Sequence, residues 1–108
     1  MEISPTDTAE ALADDTALVI DVREAYEREA GYIEGSRHIE LERLASQSDS
    51  IPKDRTVIFY CRAGVRSAMA ADAFRAAGHD ARSMAGGIIA WDGEARPLAP
   101  EGGTVADH

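Results

Sequence analysis

Short apolar runs recur along the chain, each followed by a stretch of helical period. Ala17-Leu18-Val19-Ile20 is continuous rather than alternating and ends at Asp21. That pattern predicts a strand buried on both faces, as in a parallel sheet. Thr56-Val57-Ile58-Phe59-Tyr60 is β-branched and aromatic almost throughout and is the clearest strand. Ala81 to Met84 is a third strand, and Arg37 to Ile39 a further short one.

The segments between these runs read as helices. Ser4 is placed to cap a helix from Pro5 to about Asp14, with proline at the first helical position and Asp7 in the first turn. Ala11 and Leu12 should face inward. Glu24 to Ala30 predicts a short helix stopped by Gly31, and Leu41 to Gln47 has helical spacing. Ser67 to Ala77 predicts the strongest helix. Met69, Ala70, Ala73, Phe74 and Ala77 fall on one face, Asp72 pairs with Arg75 on the other, and Gly78 follows as a stop. Ile88 to Trp91 makes a final short helix. Strands alternating with helices imply an α/β domain with a mostly parallel sheet.

Composition narrows the range of functions. With 108 residues the chain is one domain's worth, and 44% hydrophobic content supplies a core. Residues 1–97 form one domain; 98–108, rich in proline and glycine, are expected as a flexible tail free to fold back over the surface. The formal net charge of -9 argues against nucleic acid as a partner. No apolar run suits a bilayer and no leader is visible, so a cytoplasmic, membrane-free setting is expected. The acidity is uneven. Residues 1–50 hold thirteen acids against four bases, whereas residues 51–96 hold five acids against seven bases.

The basic segment carries the only cysteine, Cys61. A lone cysteine excludes an intramolecular disulfide and a multi-thiolate zinc site. It is either an inert core residue or a reactive thiolate, and its neighbours favour the second. Cys61-Arg62-Ala63-Gly64-Val65-Arg66-Ser67 joins the strongest strand to the strongest helix, at the strand end where open α/β sheets place ligands. A loop feeding a helix offers unpaired N–H groups and the positive end of the dipole. Gly64 permits the positive φ that curls such amides around an anion. Arg62 and Arg66 add full charge. All three effects favour thiolate over thiol. No histidine is spaced to act as a metal ligand or general base, so neither a metal nor another cofactor is expected. His38 and His79 read as structural, and His108 lies in the tail.

Four motifs in order resemble the rhodanese-like domain, specifically the single-domain sulfurtransferases. Val19-Ile20-Asp21-Val22-Arg23 resembles the first motif, a strand ending in Asp-x-Arg. The stretch Gly31 to Ile39 resembles the second, although Tyr32 stands where histidine is usual and Glu34 where proline is frequent. Cys61 to Ser67 resembles the active-site loop, and Gly86-Gly87-Ile88-Ile89-Ala90-Trp91 the closing motif. The resemblance covers about Ile3 to Pro97. It implies a central sheet of about five strands with helices on both faces.

The resemblance further implies that Cys61 attacks the outer sulfur of a donor such as thiosulfate, releases sulfite, and passes the resulting persulfide sulfur to cyanide or a thiol. Loop residues Arg62, Ala63, Gly64, Val65, Arg66 and Ser67 would bind the substrate. Arg62 would attract the anionic donor, Arg66 would hold the loop or the leaving anion, and Ser67 would bond the cysteine sulfur or cap the helix. Asp21 and Arg23 would tie loops together, and Trp91 would anchor the core. Cysteine phosphatases use Cys-x5-Arg; here Arg66 follows Cys61 with four residues between, and the residue before the cysteine is Tyr60. Two other readings remain: a sulfur-relay or persulfide-sensing module acting on protein thiols, and a non-catalytic binding domain.

Overall fold

The computed structural model describes residues 1–108. Five strands form one all-parallel sheet: β1 (Glu2–Ile3), β2 (Ala17–Asp21), β3 (Arg37–His38), β4 (Thr56–Tyr60) and β5 (Ala81–Met84), in the order β1-β5-β4-β2-β3. Helix α1 (Pro5–Asp14) precedes β2, α2 (Ala25–Ala30) follows it, α3 (Val65–Ala76) links β4 to β5, and α4 (Gly87–Gly93) follows β5. The α/β class with a five-stranded parallel sheet is as expected. The strand missing from the sequence reading is β1, whose two residues are too few to show a period. It is held by pairing with β5, where Ala85 N donates to Ile3 O at 2.8 Å.

Alternation along the central strands separates the two faces. Val57, Phe59 and Cys61 point to one side and pack with Ile20, Val22 and the α3 residues Ala70, Ala71 and Phe74. Ile58 and Tyr60 point to the other and pack with Val19, Ile33, Met84, Ile88 and Trp91. Ala11 and Leu12 of α1 lie half-buried against this second cluster. Ser4 caps α1 by accepting from Asp7 N at 3.0 Å.

Two expectations change. Leu41 to Gln47 is not one helix but part of a segment with two 3-10 turns, Leu41–Arg43 and Ser48–Ser50. The serines are the reason: Ser46, Ser48 and Ser50 donate their hydroxyls to carbonyls three residues back, at 3.0, 3.1 and 2.7 Å. Side-chain bonds of this kind compete with helical ones. Helix α3 starts at Val65, two residues early, and its phase is turned: Ser67, Ala70, Ala71 and Phe74 are buried while Met69, Ala73 and Ala77 are exposed. The exposed side lines an open apolar groove of about 430 Å³ with Leu41 and Leu44. Asp72 and Arg75 pair as expected.

Residues 98–108 are laid back across the domain. Tyr32 and Ala99 exchange two backbone hydrogen bonds at 2.8 Å, and Thr104 N donates to Ala30 O at 2.8 Å. Leu98 and Val105 pack on the second core cluster. A Cβ at Gly31 would collide with the Thr104 backbone, so the helix stop also gives the tail its seat. No helix is long and apolar enough to cross a membrane.

A buried ion pair ties the first and second motifs together. Arg23 and Asp21 are both fully buried; the Arg23 backbone N and Nε donate to Asp21 Oδ1, and Nη2 to Oδ2, at 2.9–3.0 Å. Arg23 Nη2 also donates to Gly31 O at 2.7 Å. Beside this pair the Tyr60 hydroxyl accepts from Ile33 N and bonds Ser36 Oγ at 2.9 Å. Burial, with the nearby Asp21 carboxylate, pushes the Tyr60 phenol up to about 12. Removing one partner of such a pair strands a buried charge. Asp21→Ala is expected to lower the unfolding free energy by about 3–5 kcal/mol, read as a lower urea midpoint. A loss under about 1 kcal/mol would contradict this role.

Candidate active site

Strands β2 and β4 are neighbours, yet the chain leaves β2 toward β3 on one side and β4 toward β5 on the other. Their carboxyl ends therefore mark a topological switch point, where open α/β sheets leave a crevice. Cys61 follows β4 at this point. Three residues later Gly64 caps α3 with φ of 107°, a left-handed conformation that glycine adopts freely. The turn brings the chain back over the sulfur. Gly64 N donates to Cys61 Sγ at 3.1 Å and Ser67 N at 3.4 Å. The Ser67 hydroxyl stands 3.4 Å from Sγ and 2.7 Å from Ser83 Oγ on β5. The first intrahelical bond here is Ala68 N to Gly64 O at 3.1 Å. The amides of Val65, Arg66 and Ser67 thus precede the helical ladder; Ser67 N is already on the sulfur, and those of Val65 and Arg66 remain available to an anion.

The loop holds this shape because its carbonyls are occupied elsewhere. Ile88 N donates to Cys61 O at 2.9 Å and Ile89 N to Arg62 O at 3.1 Å. Gly87 permits the approach: its φ is 61°, and a Cβ there would collide with the Cys61 and Arg62 carbonyls. Trp91 fixes α4 from behind, buried in the core and donating its Nε1 to Pro97 O at 2.9 Å. The closing motif thus acts on the cysteine loop directly: Gly87 and Trp91 position α4, and the Ile88 and Ile89 amides take up the carbonyls that would otherwise compete for the loop's interior.

The loop's two arginines have different partners. Arg66 makes a two-point bond to Glu27 of α2, at 2.8 and 2.9 Å. Glu27 is fully buried and also accepts from Glu24 N at 3.0 Å. Burial acts to raise its carboxyl, but the Arg66 bonds, the Glu24 amide and the Arg66 charge outweigh it, holding Glu27 below the usual glutamate range. Glu27 in turn raises Arg66. Arg62 faces the tail, donating Nε to Ala106 O and Nη2 to Asp107 Oδ1, both at 3.2 Å.

A pocket of about 260 Å³ opens over Cys61, lined by Arg62, Ala63, Val65, Arg66 and His108. Val65 is largely exposed at its rim. Cys61, Arg62, Ala63, Val65 and Arg66 thus share one cavity, while Gly64 and Ser67 stand behind it on the sulfur. Sequence reading missed Glu27, Ser83 and His108. The hint at Glu27 was its place three residues after the N-cap Glu24, where a glutamate turns back to the cap amide. His108 arrives only because the tail folds back. Glu24, Glu27 and His108 bring ligand-type atoms within 4.8 Å of one another, but both Glu27 oxygens are engaged by Arg66.

A family model of the rhodanese-like domain matches residues 4–94. A sulfurtransferase of Allochromatium vinosum is 35% identical over 104 residues, covering 94% of this chain and 97% of that one. The Mycobacterium tuberculosis protein named "Probable adenylyltransferase/sulfurtransferase MoeZ" is 39% identical over 82 residues, 73% of this chain and 21% of that longer one. The crystal structure of a rhodanese-related protein from Thermoplasma volcanium superposes with a TM-score of 0.84 at 28% identity, covering 91% of this chain and 96% of that one. The chain belongs to the rhodanese-like domain family, and its relatives support a general sulfurtransferase role.

Proposed function

We propose that the protein moves sulfane sulfur from a donor such as thiosulfate to a thiophilic acceptor, cyanide or a thiol, through a persulfide on Cys61. The observation that carries this reading is the placement of Cys61 Sγ, which accepts from the Gly64 and Ser67 amides beneath an open pocket. In the first half-reaction the Cys61 thiolate attacks the outer sulfur of thiosulfate. The new S–S bond forms as the old one breaks, and sulfite leaves with the electron pair. In the second, an acceptor thiolate or cyanide attacks the terminal sulfur. The Cys61–sulfur bond breaks and the thiolate returns.

Negative charge sits on sulfur at Cys61 in every state of this cycle. Fixed amides stabilise it without reorganising at each step. Ala63, Gly64, Val65, Arg66 and Ser67 form the cradle, and Arg62, on the pocket wall, attracts the anionic donor. Arg66 acts from the first turn of α3, held in place by Glu27, which is a positioning residue. No cofactor or metal enters the scheme.

The second reading is a sulfur-relay or persulfide-sensing module acting on protein thiols. The chain holds a single cysteine, so any transfer to a protein thiol is intermolecular. Fast loading from a low-molecular-weight persulfide with poor loading from thiosulfate would select it.

Cys61→Ser is expected to abolish thiocyanate production from thiosulfate and cyanide while the fold is retained by circular dichroism; residual turnover above about 1% of the original would contradict the assignment. The Glu27 pair gives a pH test. Because the folded carboxyl titrates below the ordinary value of 4.5, its stabilisation is complete above that pH and is lost as pH falls below it. Glu27→Gln is therefore expected to flatten the loss of stability as pH falls below about 4.5, and to lower turnover roughly tenfold at neutral pH by loosening the loop. An unchanged acid limb would show that the pair does not hold α3 to α2.

A further inference from the structure

Two guanidinium groups line the Cys61 pocket, and they differ in how firmly they are held. Arg66 is bound at two points to a fully buried carboxylate. Arg62 is bound to Asp107, whose side chain is fully exposed, and to one backbone carbonyl, Ala106 O. An exposed pair of this kind is weak and exchangeable, whereas a buried two-point pair is not. Arg62 is therefore the cation an incoming anion can capture, and Asp107 is the group it must displace.

The tail is built in two parts. Residues 98–105 are seated by Leu98, Val105, the Tyr32–Ala99 backbone pair and the Thr104 bond over Gly31. Residues 106–108 run on across the pocket without such seating. Their side chains reach it only through polar contacts: Asp107 to Arg62 at 3.2 Å and His108 Nε2 to Glu24 Oε2 at 3.3 Å, with both partners of the second pair about half-exposed. His108 forms part of the pocket wall. The firm part thus holds the loose part over the sulfur at high effective concentration.

We propose that Ala106–His108 is an intramolecular latch on the Cys61 pocket, with Asp107 competing with anionic sulfur donors for Arg62. The reference to a sulfur donor rests on the function proposed above; the latch itself is a property of the pocket. The latch makes the site selective. A donor carrying its own negative charge replaces Asp107 on Arg62 and opens the wall as it binds. A neutral donor gains nothing from Arg62 and leaves the latch in place. The cost to an anion is modest, because the displaced pair is exposed and screened.

The test uses the full chain and reads Cys61 by alkylation at low ionic strength with two reagents, anionic iodoacetate and neutral iodoacetamide. The neutral reagent reports the thiol's own reactivity, so the ratio of the two rates isolates the charge at the mouth. Asp107→Asn is expected to raise the iodoacetate-to-iodoacetamide ratio about two- to fivefold, the range of an exposed ion pair. Arg62→Gln is expected to lower the ratio and to make Asp107→Asn silent in the double variant. The gain should shrink in high salt. An unchanged ratio in Asp107→Asn overturns the latch. So does equal acceleration of both reagents, which would make the tip a steric cover only. The KM for thiosulfate is expected to fall in Asp107→Asn by a factor similar to the ratio change. If the alkylation ratio moves while Cys61 takes up no sulfur from thiosulfate, the sulfur-transfer reading fails and the latch stands.

Discussion

The sulfur of Cys61 is held by backbone, and the surrounding elements exist in the positions that keep that backbone curled. Two amides, Gly64 N and Ser67 N, donate to Sγ. They can do so because the carbonyls of Cys61 and Arg62 are turned away and bonded to Ile88 and Ile89 at the start of α4. That contact needs Gly87, where any side chain would strike the loop. Gly87 needs α4, and α4 is fixed by Trp91 in the core beneath β5. A motif twenty-six residues beyond the cysteine is thus part of the same anion cradle, through carbonyls and not through side-chain chemistry.

Buried charge does the rest of the positioning. Asp21 and Arg23 close the end of β2, and Arg23 donates to the Gly31 carbonyl. Glu27, one helix turn from the N-cap, reaches across to Arg66 and fastens α3 to α2 beside the switch point. Such pairs contribute little net stability against apolar replacements, yet breaking one strands a charge in the interior. Their value here is geometric. They tie the ends of β2, α2 and α3 to one another, and leave Arg62 as the one guanidinium at the pocket whose carboxylate partner is solvent-exposed.

Much of this was legible in the residues. The β-branched run before Cys61, the glycine after it and the helix beyond gave a strand, a turn and an anion-holding helix start in the right order. Ser4-Pro5-Thr6-Asp7 gave the cap of α1 as found. The phase of α3 was not legible, because alanines at positions 68, 70, 71, 73, 76 and 77 make every face look alike. The tie of Ser67 to Cys61 and Ser83 and the packing of Phe74 on Phe59 mark which face turns in, and both are contacts between distant segments. Leu41 to Gln47 suggested a helix by spacing, but the serines of 46–50 direct their hydroxyls to the backbone. Nothing in the sequence pairs Glu27 with Arg66, thirty-nine residues later. The tail's composition suggested fraying, whereas Leu98, Val105 and the clearance at Gly31 give it a path that no single segment reveals.

The central claim is that Cys61 carries sulfur covalently while the loop amides hold its charge. The most direct measurement is the intact mass of the protein after exposure to thiosulfate and removal of excess donor, recorded beside Cys61→Ser. The expected result is a gain of one sulfur atom on the wild-type chain, located to the peptide containing Cys61, reversed by a thiol acceptor and absent from the variant. An unmodified wild-type mass, or an equal gain on Cys61→Ser, would contradict it.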